Sequence, residues 1–125
     1  MSSGDMHEDA ASLRPSTIDD HRAYRSRMEE IEAVDWYTQR IDASNDLELK
    51  EVLRHNRDEE KEHAAMVLEW LRRRDPVLDR YLRLYLFTEG PLTGIEDAAE
   101  KGAASAEPAG GTAGLGIGSL RTTMR

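Results

Sequence analysis

The sequence predicts an all-α fold: an antiparallel two-helix hairpin with a short third helix, which pairs with a second copy into a four-helix bundle. Neither glycine nor proline occurs from Ser16 to Asp75, and these two residues are the ones that interrupt helices. The turn-prone run 43–46 divides that stretch into two. Hydrophobic residues make up only 38% of the 125 residues, so one copy has difficulty burying a sufficient core.

Local signals set the predicted helix limits. Ser16 and Thr17, followed by two aspartates, are typical of the start of a helix. Asp46 is positioned to cap a second helix after the turn. The pair Asp75-Pro76 ends that helix, because proline disfavours helical geometry in the residue before it. The apolar run 77–87 then predicts a short third helix, with a strand as the less favoured alternative.

Composition divides the chain into four segments. We predict a flexible N-terminal arm over residues 1–15, the helical hairpin with its third helix over 16–90, a flexible linker over 91–114 and a C-terminal peptide over 115–125. Eight of the nine glycines lie at or after Gly90, which favours a loop or a tether there.

Composition also excludes several classes of function. The chain has no cysteine, which excludes disulfides, thiolate metal sites and cysteine nucleophiles. A formal net charge of −8 argues against nucleic acid as a partner. No apolar run approaches the ~20 residues that cross a bilayer, and the polar N-terminus is unlike a signal peptide. We therefore expect a cytoplasmic protein that binds neither nucleic acid nor membrane.

The second helix carries a seven-residue repeat whose centre is polar. Its two lines consist of Leu53, Glu60 and Val67, and of Leu49, Asn56, His63 and Trp70. The ends of this seam are apolar, but Asn56, Glu60 and His63 occupy its middle. Glu60 and His63 are three residues apart and project from the same face. A carboxylate and an imidazole are costly to bury unless each finds a partner.

The first helix carries a matching carboxylate. Its predicted buried side consists of Tyr24, Met28, Ile31, Val34 and Ile41. Glu30 lies fifteen residues before Asn45 and Glu60 lies fifteen after it. In an antiparallel hairpin these two carboxylates stand level, about 22 Å from the turn by helical rise.

This pattern is half of a known metal-binding set. Four-helix proteins that hold two iron ions use one Glu from each of two helices and Glu-x-x-His from each of the other two. A two-fold dimer of the hairpin supplies four Glu and two His and also completes the core. Tyr37 and Asn56 lie close enough in the pattern to hydrogen-bond the ligands. Residues 29–62 hold most of the negative charge of the chain, which suits cations.

Structural alternatives account for the same residues. A Glu-x-x-His sequence arises readily by chance in a charged helix, and a buried polar seam can serve only to set register and pairing. His7, His21 and His55 lack a comparable setting and are expected at the surface, and the histidines do not match the ligand set of a hemerythrin-like oxygen carrier. Spacing alone leaves a metal site and a structural seam both open.

Three segments resemble a known family. They are MEEIEAVDWY at 28–37, HNRDEEKEHAAM at 55–66 and LGIGSLR at 115–121. Together they resemble the encapsulated ferritins, the cargo proteins of encapsulin nanocompartments. The resemblance implies a ferritin-like bundle formed by dimers that assemble into a ring-shaped decamer, and ferroxidase activity at two irons in the dimer interface.

The resemblance also implies roles for individual residues. Glu30, Glu60 and His63 of two chains become the iron ligands, with Glu30 bridging the two metals and Tyr37 beside them. The site at which metal enters corresponds to Glu29, Glu32 and Trp36, with calcium as an alternative occupant. Zinc is an expected inhibitor, since sites of nitrogen and oxygen ligands bind it well. The alternatives are a metal-binding or peroxide-detoxifying relative, and a non-catalytic helical oligomerisation module.

The C-terminal residues resemble encapsulin-targeting peptides. The apolar residues Leu115, Ile117 and Leu120 are separated by glycine and serine, a pattern suited to docking in an extended conformation. The resemblance implies that the protein lies inside an encapsulin shell in the cytoplasm. The four residues after Arg121 extend past the usual end of the motif.

Overall fold

A computed structural model describes residues 6–106 of the chain, with side chains to residue 103. Its helices are α1 (Pro15–Ala43), α2 (Leu47–Arg74), α3 (Pro76–Tyr85) and α4 (Leu92–Ala106), after a 3-10 turn at Ala10–Ser12. No strand occurs within the described range, so the all-α prediction is confirmed. None of these helices is long and apolar enough to span a membrane.

Helix α1 begins at its proline. Pro15 occupies the first helical position and Arg14 precedes it without a side-chain capping bond. Proline starts a helix well because its φ angle is preset and its missing N–H has no helical partner there. The start thus lies one residue before the predicted Ser16, and the predicted side-chain cap is absent. The 3-10 turn falls within the segment predicted as a flexible arm.

The α1–α2 connection is a tight turn built by two side chains. The amide of Asp46 donates to Ser44 Oγ at 3.1 Å, and the amide of Leu49 donates to Asp46 Oδ1 at 3.0 Å. Asp46 therefore caps α2 as the sequence predicts. Further from the turn, Arg27 Nε of α1 donates to the Ala64 carbonyl of α2 at 3.1 Å. A three-residue connection and this contact require the helices to run antiparallel.

Helix α3 follows α2 after a single residue. Asp75 Oδ1 accepts hydrogen bonds from the amides of Val77 and Leu78, both at 3.0 Å, and Pro76 opens the helix. The helix ends at Tyr85 rather than at residue 87. Phe87 instead adopts a left-handed φ of 61°, which takes it out of helical geometry.

Helix α4 lies within the segment predicted as a flexible linker, 91–114. The stretch 92–106 contains two glycines but five alanines, and alanine has the strongest helix preference. Burial, and then the carboxylates of Glu96 and Glu100, raise the pKa of Tyr85, so α4 lies beside the end of α3. Residues 107–114 and the predicted docking peptide fall outside the described residues.

The chain divides into two compact units between Leu71 and Arg72. Among the described residues only Ile41, Ala64 and Leu71 are buried apolar side chains, and all three lie in the first unit. The second unit is held partly by charge, since Asp79 of α3 accepts hydrogen bonds from Arg72 and Arg83.

Much of the predicted apolar side of α1 is uncovered in one chain. Ile41 is buried and Val34 is half-buried, but Tyr24, Met28 and Ile31 remain about half exposed. The prediction that these three are buried is wrong for the single chain, because one partner helix covers only one face of α1. The seam of α2 separates in the same way: Leu53, Glu60 and Val67 are half-buried, whereas Leu49, His63 and Trp70 are exposed.

Candidate metal centre

Glu30 lies in the middle of α1, and one of its carboxylate oxygens lacks a partner. The side chain is half-buried, and its Oε1 atom is fully buried without a hydrogen bond. Leaving a buried acceptor unsatisfied costs about 1–3 kcal/mol. Such an atom is suited to an additional positively charged or hydrogen-bonding group.

Glu60 and His63 form the matching pair on α2. His63 Nδ1 lies 3.2 Å from Glu60 Oε1, and the two residues are one helical turn apart. The Glu60 side chain is 28% exposed and that of His63 is 50% exposed. This pair therefore lies at the boundary between the face that packs on α1 and the uncovered face of α2.

The three side chains interact electrostatically. Burial raises the pKa of Glu30; His63 opposes this effect, and the like charge of Glu60 adds to it. The positive charge of Arg27 also favours the ionised carboxylate of Glu30. Glu30 thus lies within the electrostatic reach of both predicted ligands on α2, as the antiparallel spacing predicts. A bound cation would favour the ionised state of both carboxylates.

The described residues of a single copy do not assemble a complete metal site. Across the described residues, no three His, Asp or Glu side chains converge closely enough to hold an ion. The donor types nevertheless fit iron, since carboxylate and imidazole are its ordinary ligands. The orphaned Glu30 oxygen also fits a missing ligand set. Glu30, Glu60 and His63 are thus brought near one another, but further ligands must come from elsewhere.

The placement of Tyr37 and Asn56 beside the ligands stays a prediction. Both side chains are half-buried. The Arg40 guanidinium lies over the Tyr37 ring, 5.6 Å from its centroid, which restrains the ring through a cation–π interaction.

The residues that the resemblance assigns to the metal entry site differ from the candidate ligands in their exposure. Glu29, Glu32 and Trp36 are all exposed. Glu29 lies 3.5 Å from Arg25, and Trp36 lines a shallow surface depression with Gln39 and Arg40. Two exposed carboxylates on one helix can attract cations but do not enclose one.

The remaining histidines differ from one another. His7 is exposed, and His55 is exposed with its Nε2 atom 3.7 Å from Glu59. His21 is half-buried and its Nε2 atom is buried without a hydrogen bond. The expectation of a surface position is therefore wrong for His21.

Sequence reasoning missed Arg27. Its contact with Ala64 crosses the hairpin at the level of the candidate ligands. The available signal is its spacing, because Arg27 lies three residues before Glu30 and therefore shares its side of the helix.

Comparison with known proteins shows the family to which this chain belongs. A model of the EncFtn-like family matches residues 5–89, which include α1, α2 and α3. The chain belongs to the EncFtn-like family. The all-helical fold of its described residues is consistent with the predicted ferritin-like fold, and the resemblance to encapsulated ferritins is confirmed.

Relatives of this EncFtn-like chain come from several bacteria. It is 57% identical to the "Encapsulated ferritin-like protein" of Rhodospirillum rubrum over 97% of this chain and 91% of the relative. It is 34% identical to the "Encapsulin nanocompartment cargo protein EncC" of Myxococcus xanthus, over 80% and 83% of the two chains. A crystal structure of protein ne0167 from Nitrosomonas europaea is 57% identical with a TM-score of 0.68, over 69% of this chain and 94% of that one.

Proposed function

We propose that this protein is a ferroxidase that oxidises Fe(II) to Fe(III) at a two-iron site shared between two copies. The observation that carries the proposal is the orphaned, buried Oε1 of Glu30 beside the Glu60–His63 pair. Two carboxylates and one imidazole in a family of ferritin-like proteins fit iron as the substrate.

A second copy supplies what one copy lacks. The uncovered face of α2 carries His63 together with Leu49, Met66 and Trp70. Pairing two such faces about a two-fold axis brings two sets of Glu30, Glu60 and His63 together. The same pairing covers apolar side chains that are 40–64% exposed in one chain. Pairing of two copies therefore completes both the metal site and the apolar core.

The charge of the paired site favours the oxidised metal. Four carboxylates and two imidazoles from the two copies place up to four negative charges around two irons. Anionic oxygen ligands stabilise Fe(III) more than Fe(II), because the attraction grows with the metal charge. Each Fe(II) gives one electron, so the two irons together reduce one dioxygen, with two protons, to hydrogen peroxide. In this proposal Glu30 is the ligand shared by the two irons, and Tyr37 hydrogen-bonds a ligand.

The exposed carboxylates of α1 attract iron towards the proposed ligands. Glu29, Glu32 and Trp36 form the proposed site at which iron enters, and calcium is an alternative occupant of the same oxygens. Zinc competes for Glu30, Glu60 and His63, since it accepts the same ligands but cannot be oxidised. Zinc is therefore expected to inhibit.

The oxidised iron is stored in a shell. Relatives are named as encapsulated and as nanocompartment cargo proteins, and we infer the same setting here: an encapsulin shell, bound through Leu115, Ile117 and Leu120. The resemblance adds a ring-shaped decamer, which has no enclosed cavity for mineral.

The test of activity is aerobic Fe(II) oxidation, followed by Fe(III) absorbance at equal protein concentration. Glu60→Gln and His63→Ala are expected to abolish oxidation above the rate in buffer, because each removes a ligand twice over in the dimer. Glu51→Gln, an exposed change on the same helix, is the matched control and is expected to retain the wild-type rate. Full rates in either ligand variant would contradict the ferroxidase proposal.

The test of packaging is co-expression with an encapsulin shell protein. Replacing Leu115, Ile117 and Leu120 with serine is expected to reduce the cargo recovered per shell by tenfold or more, because the apolar side chains fill the docking pockets. Ser119→Ala is the control and is expected to load normally. Undiminished loading of the triple variant would exclude this peptide as the address.

A further inference from the structure

Arg27 links the two helices of the hairpin beside the candidate ligands. Arg27 Nε of α1 donates to the Ala64 carbonyl of α2 at 3.1 Å. Ala64 is buried and directly follows His63. The carbonyl lies in mid-helix, where its regular partner is the amide four residues further on. The bond from Arg27 is therefore additional to the helix and joins α1 to the backbone of α2.

This bond lies at the height of the ligands. Glu30 lies three residues after Arg27 on α1, and position 61 lies three residues before Ala64 on α2. In an antiparallel pair, Glu30 is therefore level with the helical turn between Glu60 and His63. The offset of Glu30 from either ligand is then about 1.5–3 Å along the axis. Sliding one helix by a single residue would change that offset by about 1.5 Å, which is large compared with the tolerance of a metal site.

Arginine suits the task of holding this register, because its planar head donates hydrogen bonds in fixed directions. Arg22 of the same helix pairs instead with Asp19 at the surface.

We propose that Arg27 is a positioning residue of the metal site, which fixes the register of α1 on α2 so that Glu30 meets Glu60 and His63. This inference rests on the proposed function, since it concerns the same ligands. Arg27 touches no metal in this view. It acts through Glu30, by holding the ligand's helix in place.

The experiment uses Co(II) as the probe and the full-length protein without other metals. Affinity is measured by calorimetry and ligand geometry by the visible absorption of bound Co(II), for wild type, Arg27→Met, Glu30→Gln and the double variant. Arg22→Met is the matched control. Circular dichroism and thermal melts establish that each variant is folded at the temperature used.

Arg27→Met is expected to weaken Co(II) binding by tenfold or more and to alter the absorption of bound Co(II), as loss of a residue that orients ligands does. In the Glu30→Gln background the same change is expected to have little further effect, because the residue through which it acts is already lost. Arg22→Met is expected to match wild type.

Two results would overturn the role of Arg27. One is Co(II) binding by Arg27→Met equal to that of wild type. The other is a loss of Co(II) affinity on Arg27→Met that is the same in the wild-type and Glu30→Gln backgrounds, which would indicate a general effect on folding. If Glu30→Gln itself binds Co(II) as tightly as wild type, the ligand assignment is wrong, and this inference falls with the proposed function.

Discussion

At the scale of single residues, Glu30 meets two opposing demands. A metal ligand must present unpaired oxygens, and in the free chain an unpaired buried oxygen destabilises the fold. Burial accordingly raises the pKa of Glu30, and the neighbouring Glu60 adds to this rise. Sites that bind ligands often carry such a cost in the free protein.

We predict that Glu30→Gln stabilises the metal-free protein at neutral pH. Because the folded-state pKa of Glu30 lies above its ordinary value of 4.5, ionisation disfavours folding as pH rises through the folded pKa. Glutamine avoids that penalty. The gain in the free energy of unfolding is expected in urea denaturation at pH 7 with a chelator present, and this gain should disappear below pH 4.

The control for this prediction is Glu51→Gln, whose parent carboxylate is exposed. It is expected to change stability by less than about 0.5 kcal/mol at either pH. A Glu30→Gln variant that is less stable than wild type at pH 7 would show that the carboxylate is well compensated without metal.

The proximity of the candidate ligands was predictable from the sequence, and the contact that Arg27 makes beside them was not. The placement of Glu30, Glu60 and His63 follows from the helix period and from their similar distance to the turn. The spacing of Arg27 from Glu30 places both residues on one side of α1, but the link from Arg27 to the Ala64 carbonyl depends on a side chain reaching a backbone atom of another helix. The half-buried position of His21 was not predicted either.

At the scale of secondary-structure elements, side-chain caps set where α2 and α3 begin. Asp46 accepts from the amide of Leu49, and Asp75 accepts from the amides of Val77 and Leu78. The cap at Asp46 was predicted, because a short polar residue before an apolar run marks a helix start, whereas Asp75 was predicted only as the end of α2. Helix α4 was not predicted, because glycines at 94 and 102 stand among its alanines and favour a flexible linker over 91–114.

We predict that Asp46→Ala costs about 1 kcal/mol of stability, since it removes the cap of α2. The measurement is the urea midpoint at pH 7. Asn45→Ala, which replaces a neighbour without a capping bond in this turn, is the control and is expected to cost clearly less. Equal losses would mean that the turn conformation, and not the cap, carries the effect.

Asp79 is the charged anchor of the second unit. Burial on its own would raise the pKa of Asp79, but the hydrogen bonds from Arg83 and Arg72 outweigh it and hold the pKa below the ordinary 3.8. The Asp79 side chain is 25% exposed. A carboxylate whose pKa is depressed stabilises the fold above its ordinary pKa.

We predict that Asp79→Asn destabilises the protein by about 1–2 kcal/mol at pH 7, because it removes two charge-assisted acceptor interactions. The difference from wild type should shrink as pH falls through the depressed pKa of Asp79, where the wild-type carboxyl is also neutral. Asp19→Asn, which breaks an exposed pair with Arg22, is the control and should cost at most about 0.5 kcal/mol. A loss that is constant with pH would exclude the ion pairs as its cause.

At the scale of the whole molecule, the uncovered apolar side chains are the dominant feature. Only three apolar side chains are buried among the described residues, whereas Tyr24, Met28, Ile31 and Met66 are each about half exposed or more. The composition predicted this shortage of core from the outset. Sequence reasoning did not separate the covered face from the uncovered one, because that division depends on which side of each helix the hairpin closes.

We predict that stability depends on protein concentration, because pairing covers these side chains. The urea midpoint is expected to rise between low and high micromolar protein. Met66→Asp, one turn from His63 on the uncovered face of α2, is expected to lower the midpoint and the native mass. The neighbouring exposed Ala65→Asp, about 100° round the helix, is the control and should have the smaller effect. A midpoint independent of concentration would contradict pairing.

The most direct measurement of a two-iron site shared by two copies is native mass spectrometry after anaerobic addition of Fe(II). We expect species with even numbers of chains to carry two irons per pair of chains, and single chains to carry none. Glu60→Gln and His63→Ala should lose this iron. Iron bound to single chains of wild type, or retained by both ligand variants, would contradict a ferroxidase centre formed between two copies.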